Sequence, residues 1–393
     1  MKSKCAGKQT LVFSAPPQVI SSAAIVGEME GQGPLGSYFD EVLTDDTWGE
    51  DSWEKAERKM FEQTVRRALE KVSLQTGELD CLLGGDLLNQ IISANFAARE
   101  LKTPFLGLYG ACSTMAEGLL LGSMLIDGGY ASRVACAATS HFSTAERQYR
   151  LPLEMGGQTP PTAQRTVTGA GCSILAESGY TGQMLYRNVF VAAGTIGWVI
   201  DLGITDASNM GAAMAPAAAD TLSTHLSDTG RSIRDYDLVV TGDLGGFGSE
   251  MFLELCKDNG VDAERRHLDC GNLIFSGSQK VDSGGSGCGC SASVLNAYLL
   301  DRIEQGDLRR IFFHGHRRAD EPHQRHAERK HPRHCPRRGA GAQIRGGKSD
   351  GLSLGVPHRR RHLRDRPAAH QSHPAHPGPH IGGFRHGGRI PHS

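Results

Sequence analysis

The sequence predicts an α/β protein made of two similar halves, and three observations carry that prediction. Short apolar runs alternate with helical periodicities across short links, the pattern of sheets covered by helices. Asp80-Cys81-Leu82-Leu83-Gly84-Gly85-Asp86-Leu87 returns 157 positions later as Asp237-Leu238-Val239-Val240-Thr241-Gly242-Asp243-Leu244. Cys112-Ser113, with Gly128 downstream, returns 178 positions later as Cys290-Ser291 with Gly306. A duplicated half places its site where the copies meet, here bringing two aspartates and two cysteines together. The expected division is 1–178 for the first half, 179–313 for the second, and 314–393 for a tail.

Taken in order, residues 1–50 read as an irregular lead-in, with turn signals at Pro16-Pro17 and Gly33-Pro34. Residues 53–72 repeat Ala56, Met60, Thr64, Val65, Ala68, Leu69 and Val72 at helical spacing with charges between, an amphipathic helix. Residues 79–84 form a short apolar strand, 89–101 a helix and 105–109 a second buried strand. Residues 114–127 form a long apolar helix stopped by Gly128-Gly129, and 133–138 a third strand. The link between halves carries Thr168-Gly169-Ala170-Gly171-Cys172 ahead of an apolar strand. The second half follows with helices over 213–226, 251–259 and 291–304 and strands at 238–241 and from 310.

Charge and composition exclude several classes. The net charge of −1 hides a break near residue 314. Residues 314–393 hold 14 of the 17 histidines, 17 Lys+Arg and only 5 Asp+Glu, leaving 25 basic against 38 acidic side chains before them, a net of −13. A body this acidic argues against nucleic-acid binding. Its nine cysteines are irregularly spaced and several sit in apolar runs, so reduced thiols are expected. Cys288-Gly289-Cys290 lacks zinc-knuckle spacing, and no metal is expected there. No stretch is long and apolar enough to span a bilayer, so a soluble or peripheral body is expected.

The tail has neither a 2- nor a 3.6-residue apolar period. It reads as a disordered basic segment, as a weak histidine-rich metal tract, or as GC-rich coding sequence translated out of frame, the reading favoured here. With suitable codons for residues 314–321, translation starting one base later gives Met-Ala-Thr-Gly-Ala-Leu-Met-Ser, a strand end and loop.

Candidate chemistry gathers at strand ends and helix starts. Cys112 stands between a buried strand and a long apolar helix, where the helix dipole favours thiolate and the free N–H groups bind anions. A small residue packed at a crowded helix start is the competing reading, and Cys290 holds the matching place in the second copy. Asp86 and Asp243 close apolar strands after glycine, where ligands bind in α/β sheets, though helix capping explains a carboxylate there equally well. His141 and His267 follow or precede strand residues and could line a pocket, although a structural or surface role is the favoured reading of each, while His225 reads as a surface residue. The loop Gly284-Gly285-Ser286-Gly287-Cys288-Gly289-Cys290 could cradle a carboxylate or phosphate but lacks the lysine and spacing of a nucleotide loop.

Gly110-Ala111-Cys112-Ser113-Thr114 at a buried helix start, with the glycine-rich link, resembles the thiolase and ketoacyl-synthase superfamily. Residues 6–313 more specifically resemble the stage V sporulation protein AD family of endospore-forming bacteria. The segments that carry this are Gly33-Pro34-Leu35-Gly36, Gly85-Asp86-Leu87-Leu88-Asn89-Gln90, Thr144-Ala145-Glu146-Arg147-Gln148, Asp201-Leu202-Gly203-Ile204-Thr205-Asp206 and Met214-Ala215-Pro216-Ala217-Ala218-Ala219-Asp220. The resemblance implies two similar halves in an αβαβα sandwich with an aberrant C-terminal end. It also implies a role in moving dipicolinic acid, free or with Ca²⁺, into the forming spore, beside membrane subunits of the same operon. Homodimers are common in the superfamily, and no organic cofactor is implied. The expected ligand residues are Asp86, Cys112, His141, Asp243, Cys288 and Cys290. The alternative is an acyltransferase with Cys112 as nucleophile, which needs a base and an oxyanion donor near the thiol. Where the superfamily carries these, this chain offers Asp243 and Cys288, and an aspartate beside the thiol argues against condensation.

Overall fold

The strand at the middle of the molecule, β1 (Gln18–Val26), lies where the sequence reads as irregular lead-in, and it is buried along its whole length. Pro16-Pro17 and the polar pair Ser21-Ser22 disguise it. Both hydroxyls are satisfied internally, Ser21 Oγ donating to Ala68 O at 2.6 Å and Ser22 Oγ to Asn296 O at 2.7 Å, so a strand buried on both faces tolerates them. The computed structural model describes residues 4–149, 160–204, 206, 208–315 and the backbone of 340–346. All of them fall in one unit, Met1–Lys348, whereas Ser349–Ser393 lies outside the described residues.

Four further strands complete the first set: β2 (Cys81–Gly85), β3 (Phe105–Gly107), β4 (Arg133–Ser140) and β5 (Gly169–Ala176). The second set is β6 (Val189–Ile196), β7 (Leu238–Thr241), β8 (His267–Asp269), β9 (Arg310–Gly315) and β10 (Ala340–Gly346). Hydrogen bonding arranges them as β3-β2-β4-β5-β1 and β8-β7-β9-β10-β6, the same permutation twice. The sets touch through one strand pair, Phe190↔Gln18, while the short strand Thr10–Val12 takes up the rest of that β6 edge.

Helices separate and cover the two sheets. The α1 helix (Trp53–Glu70) and α2 (Ile92–Leu101) cover the outer face of the first set, and α5 (Met210–Thr229) and α6 (Gly245–Asp258) that of the second. Between the sheets run α3 (Thr114–Asp127) and α8 (Cys288–Val294), the latter continuing through a π-helical turn, Leu295–Leu299, into Leu300–Glu304. Two short helices, α4 (Phe142–Tyr149) and α7 (Cys270–Ile274), follow β4 and β8. The result is five layers, αβαβα, with the central helices apolar all round as a doubly covered helix requires.

Two further expectations are corrected. The second set does not stop at residue 313: His314 and Gly315 extend β9 as buried residues, and β10 pairs antiparallel with both β9 and β6. A ladder is made by backbone groups, so residues 340–346, inside the expected tail, fill the slot between β9 and β6. The rest of the expected tail, 316–339 and 347–393, lies outside the described residues. His225 is not a surface residue but fully buried. Its Nδ1 lies 2.6 Å from Thr195 Oγ1 and its Nε2 2.6 Å from the Tyr236 hydroxyl, with Phe312 stacked at 4.4 Å.

Candidate functional site

Cys112 sits in a single 3-10 turn, Ala111–Ser113, that runs directly into α3. Ala111 has φ 49°, a left-handed conformation that strains a non-glycine residue and lifts the next side chain out of the strand-to-helix path. Ser113 Oγ donates to Gly110 O and Thr114 Oγ1 to Ala111 O, both at 2.8 Å, locking the turn. Cys112 as a residue is half-buried.

The Asp243 carboxyl lies against that thiol. Asp243 follows β7, and three groups fix it. Gly287 N donates to its Oδ2 at 2.9 Å, Gln164 Nε2 donates to its backbone carbonyl at 2.8 Å, and Asp269 pins the following turn by accepting from Leu244 N (2.8 Å) and Gly245 N (3.0 Å). The glycine-rich loop therefore gives one N–H to a carboxyl of the protein itself. Gly287 has φ 100°, and a Cβ there would stand 2.9 Å from Ser140 Oγ, so only glycine fits. Asp243 Oδ1 is buried with no hydrogen-bond partner among the described residues.

Electrostatics at the pair run opposite to the helix-start expectation. Burial first, and then the facing Asp243 carboxylate, hold the Cys112 thiol well above the ordinary cysteine range. Desolvation and a neighbouring negative charge outweigh the helix dipole. Burial also pushes Asp243 up to about 7, so its neutral form is present near neutral pH.

The other predicted site residues divide. Cys288 is fully buried and its Sγ donates to Thr139 O at 2.9 Å; burial, then Asp86, Glu57 and Asp243, keep it protonated. Its thiol proton is thus committed to a backbone carbonyl. Cys290 lies inside the first turn of α8, fully buried, rather than ahead of the helix like Cys112, so the repeat aligns these two cysteines in sequence but not in exposure.

Asp86 is a capping carboxylate: Oδ1 accepts from Leu88 N and Oδ2 from Ala94 N, both at 2.7 Å. This holds the kink at Gln90 (φ 61°) and Ile91 (φ 47°) before α2. Burial raises Asp86 to about 6, and beside it Glu57, fully buried, is pushed well up by burial and by Asp86. Both nitrogens of His141 are engaged, Nε2 with Asp46 O at 2.7 Å and Nδ1 accepting from Ser143 N at 3.2 Å. His267 Nε2 contacts Thr241 Oγ1 at 2.8 Å, and burial lowers it to about 4. Neither imidazole is positioned as a base for Cys112. Among the described residues, no group of three or more His, Cys, Asp or Glu is placed to hold a metal ion.

Sequence reasoning missed Gln164, Asp269 and Arg165. The first two brace Asp243 from segments 79 and 26 positions away in sequence, and no local pattern marks either.

Known proteins place this arrangement. The family described as Stage V sporulation protein AD matches residues 7–316. Stage V sporulation protein AD of Bacillus subtilis (strain 168) is 46% identical over 309 residues, covering 79% of this chain and 89% of that protein. Among solved structures, acetamide-bound OleA of Xanthomonas campestri superposes with a TM-score of 0.56 at 12% identity, covering 85% of this chain and 100% of that one. Human mitochondrial 3-ketoacyl-CoA thiolase in complex with CoA gives 0.54 at 13%, covering 86% and 99%. The 3-oxoacyl-[acyl-carrier-protein] synthase III of Aquifex aeolicus gives 0.52 at 13%, covering 84% and 99%. These likenesses show the thiolase-like fold.

Proposed function

The chain belongs to the stage V sporulation protein AD family, and on that premise we propose that it binds dipicolinic acid, free or as its calcium chelate, and supports its uptake into the developing spore. The observation that carries binding over catalysis is the Cys112–Asp243 pair. A condensing thiol needs a base to deprotonate it and donors to hold a developing oxyanion. Here the thiol is held protonated first by burial, and the facing group is a carboxyl in place of an imidazole base, whose ionised form raises the thiol further. A carboxyl that is neutral near pH 7 does suit an acidic ligand, because it can donate to a ligand carboxylate, and Asp243 Oδ1 has no internal partner among the described residues.

The ligand residues in this reading are Asp86, Cys112, His141, Asp243, Cys288 and Cys290, with Cys112 and Asp243 in contact and the others supporting the walls. Membrane subunits of the same operon are the proposed partners, with the protein peripheral to the forespore inner membrane. No helix among the described residues is long and apolar enough to cross one. A second copy is proposed to pair along the edge strand β3, where Leu106 is 53% exposed. The out-of-frame origin of residues beyond 313 is supported by the family match ending at 316, where the composition breaks. Sequencing the locus tests it, and an intact frame across codon 313 refutes it.

Titration calorimetry with dipicolinate, with and without Ca²⁺, and an acyl-CoA thioesterase and condensation assay decide the function. Saturable dipicolinate binding without turnover is expected. Thioester cleavage abolished by Cys112→Ala, with no dipicolinate binding, would establish the acyltransferase instead.

A further inference from the structure

Asp243 faces the Cys112 thiol, and Asp86 and Glu57 act on the neighbouring Cys288, so an anionic ligand is best served by a cation nearby. One stands in the segment that braces Asp243. Arg165 follows Gln164, whose side chain holds the Asp243 and Gly285 carbonyls. Its own backbone pairs with the glycine-rich loop, Arg165 N donating to Gly284 O at 2.9 Å in the register Gly285↔Arg165.

Three features distinguish this guanidinium from a structural one. Its centre lies 3.7 Å from the ring centroid of Phe142, the residue after His141 at the end of β4. That contact restrains the guanidinium without using its N–H donors. It is half-buried, yet makes no side-chain hydrogen bond and no ion pair among the described residues, and Nε is buried without a partner. Its nearest charges, Glu30 and Glu146, act on it only at a distance. Glu30 is itself buried and spends Oε1 on Thr168 N at 3.0 Å. A desolvated guanidinium with unused donors costs free energy unless an acceptor arrives.

We propose that Arg165, placed over Phe142, is the anion-recognition residue of this protein and takes one carboxylate of a planar aromatic acid through its N–H fork. The inference rests on the dipicolinate reading and deepens it, naming the cation that takes the ligand's carboxylate. Guanidinium–carboxylate pairing is bidentate and charge-assisted, so its loss is felt in dissociation.

The test uses the full chain at pH 7 with dipicolinate and, as a second probe, isophthalate, the benzene dicarboxylate lacking the ring nitrogen. Arg165→Gln is expected to weaken dipicolinate about thirtyfold, Arg165→Lys less, because an ammonium keeps the charge but lacks the fork. Both should melt within a few degrees of wild type, since no internal hydrogen bond or ion pair among the described residues is lost and the Phe142 contact contributes about 1 kcal/mol. Wild-type affinity in Arg165→Gln overturns the inference while leaving the dipicolinate reading in place. If Arg165→Gln melts early, wild-type affinity in a stable Arg165→Lys overturns it equally. Isophthalate binding that depends on Arg165, without dipicolinate binding, sustains the inference and removes the reading. Binding of neither probe overturns both.

Discussion

Replacing Asp243 by Asn isolates the pair at the centre of the site. Asn keeps the shape and can still accept from Gly287 N, but it cannot ionise. In the folded chain Asp243 is raised to about 7 from an ordinary 3.8. Between those values the native state holds a proton that the unfolded chain has released. Stability therefore falls as pH rises through that window and is level above it. About three units at 1.36 kcal/mol each set an upper bound of about 4 kcal/mol. Urea unfolding of wild type and Asp243→Asn at pH 4.5, 6 and 8 should give a gap that grows with pH in favour of the variant. The thiol supplies a second readout. Two unit charges about 4 Å apart interact by about 4 kcal/mol at an effective dielectric near 20, so removing the carboxylate lowers the thiol pKa. In a Cys5→Ser, Cys335→Ser background, which removes the exposed cysteine among the described residues and the one that lies outside them, iodoacetamide should label Cys112 at least about tenfold faster at pH 8. Parallel stability curves and unchanged labelling would refute the assignment of Asp243 as the group that silences the thiol.

Gly287→Ala should cost about 2 kcal/mol and lower Tm, because it adds left-handed strain to a 2.9 Å clash with Ser140 Oγ. Equal melting would show that the loop relaxes freely. His225 is lowered by burial to about 3. The unfolded chain then binds the extra proton between about pH 6.5 and 3, and stability is lost as pH falls. His225→Gln should regain up to about 3 kcal/mol on wild type between pH 7 and 4, read from urea unfolding at both; a constant offset refutes it. A chain ending after residue 339 should melt at least about 5 °C below one ending after 348, since β9 and β6 lose their shared neighbour. Coincident melts would show that β10 contributes nothing to the fold.

Strong periodicity made most elements legible. The helix read over 114–127 has those bounds in the structure, as does the strand read over 238–241. What failed were places where the usual rule is overridden by a partner far away in sequence. β1 hides because two serines interrupt its apolar run, and only Ala68 and Asn296 explain how they are buried. His225 has polar neighbours along its helix, but its ring turns inward to Thr195 and Tyr236. The Cys112–Asp243 contact was readable because both close elements whose type the sequence signals plainly. Arg165 was not, because nothing local marks a guanidinium whose ring partner lies 23 positions upstream.

The doubled strand order also sets a timetable for synthesis. Every strand of the first sheet is on hand once residue 176 leaves the ribosome. The second sheet cannot close in the same way: β6 must wait for β10, more than 140 residues later, while Gln18 and the short strand Thr10–Val12 cover only its other edge. During that interval the half-built sheet presents bare edges in a crowded cell. A lesion late in the gene thus strikes the step on which closure of the second sheet depends, with the first already folded.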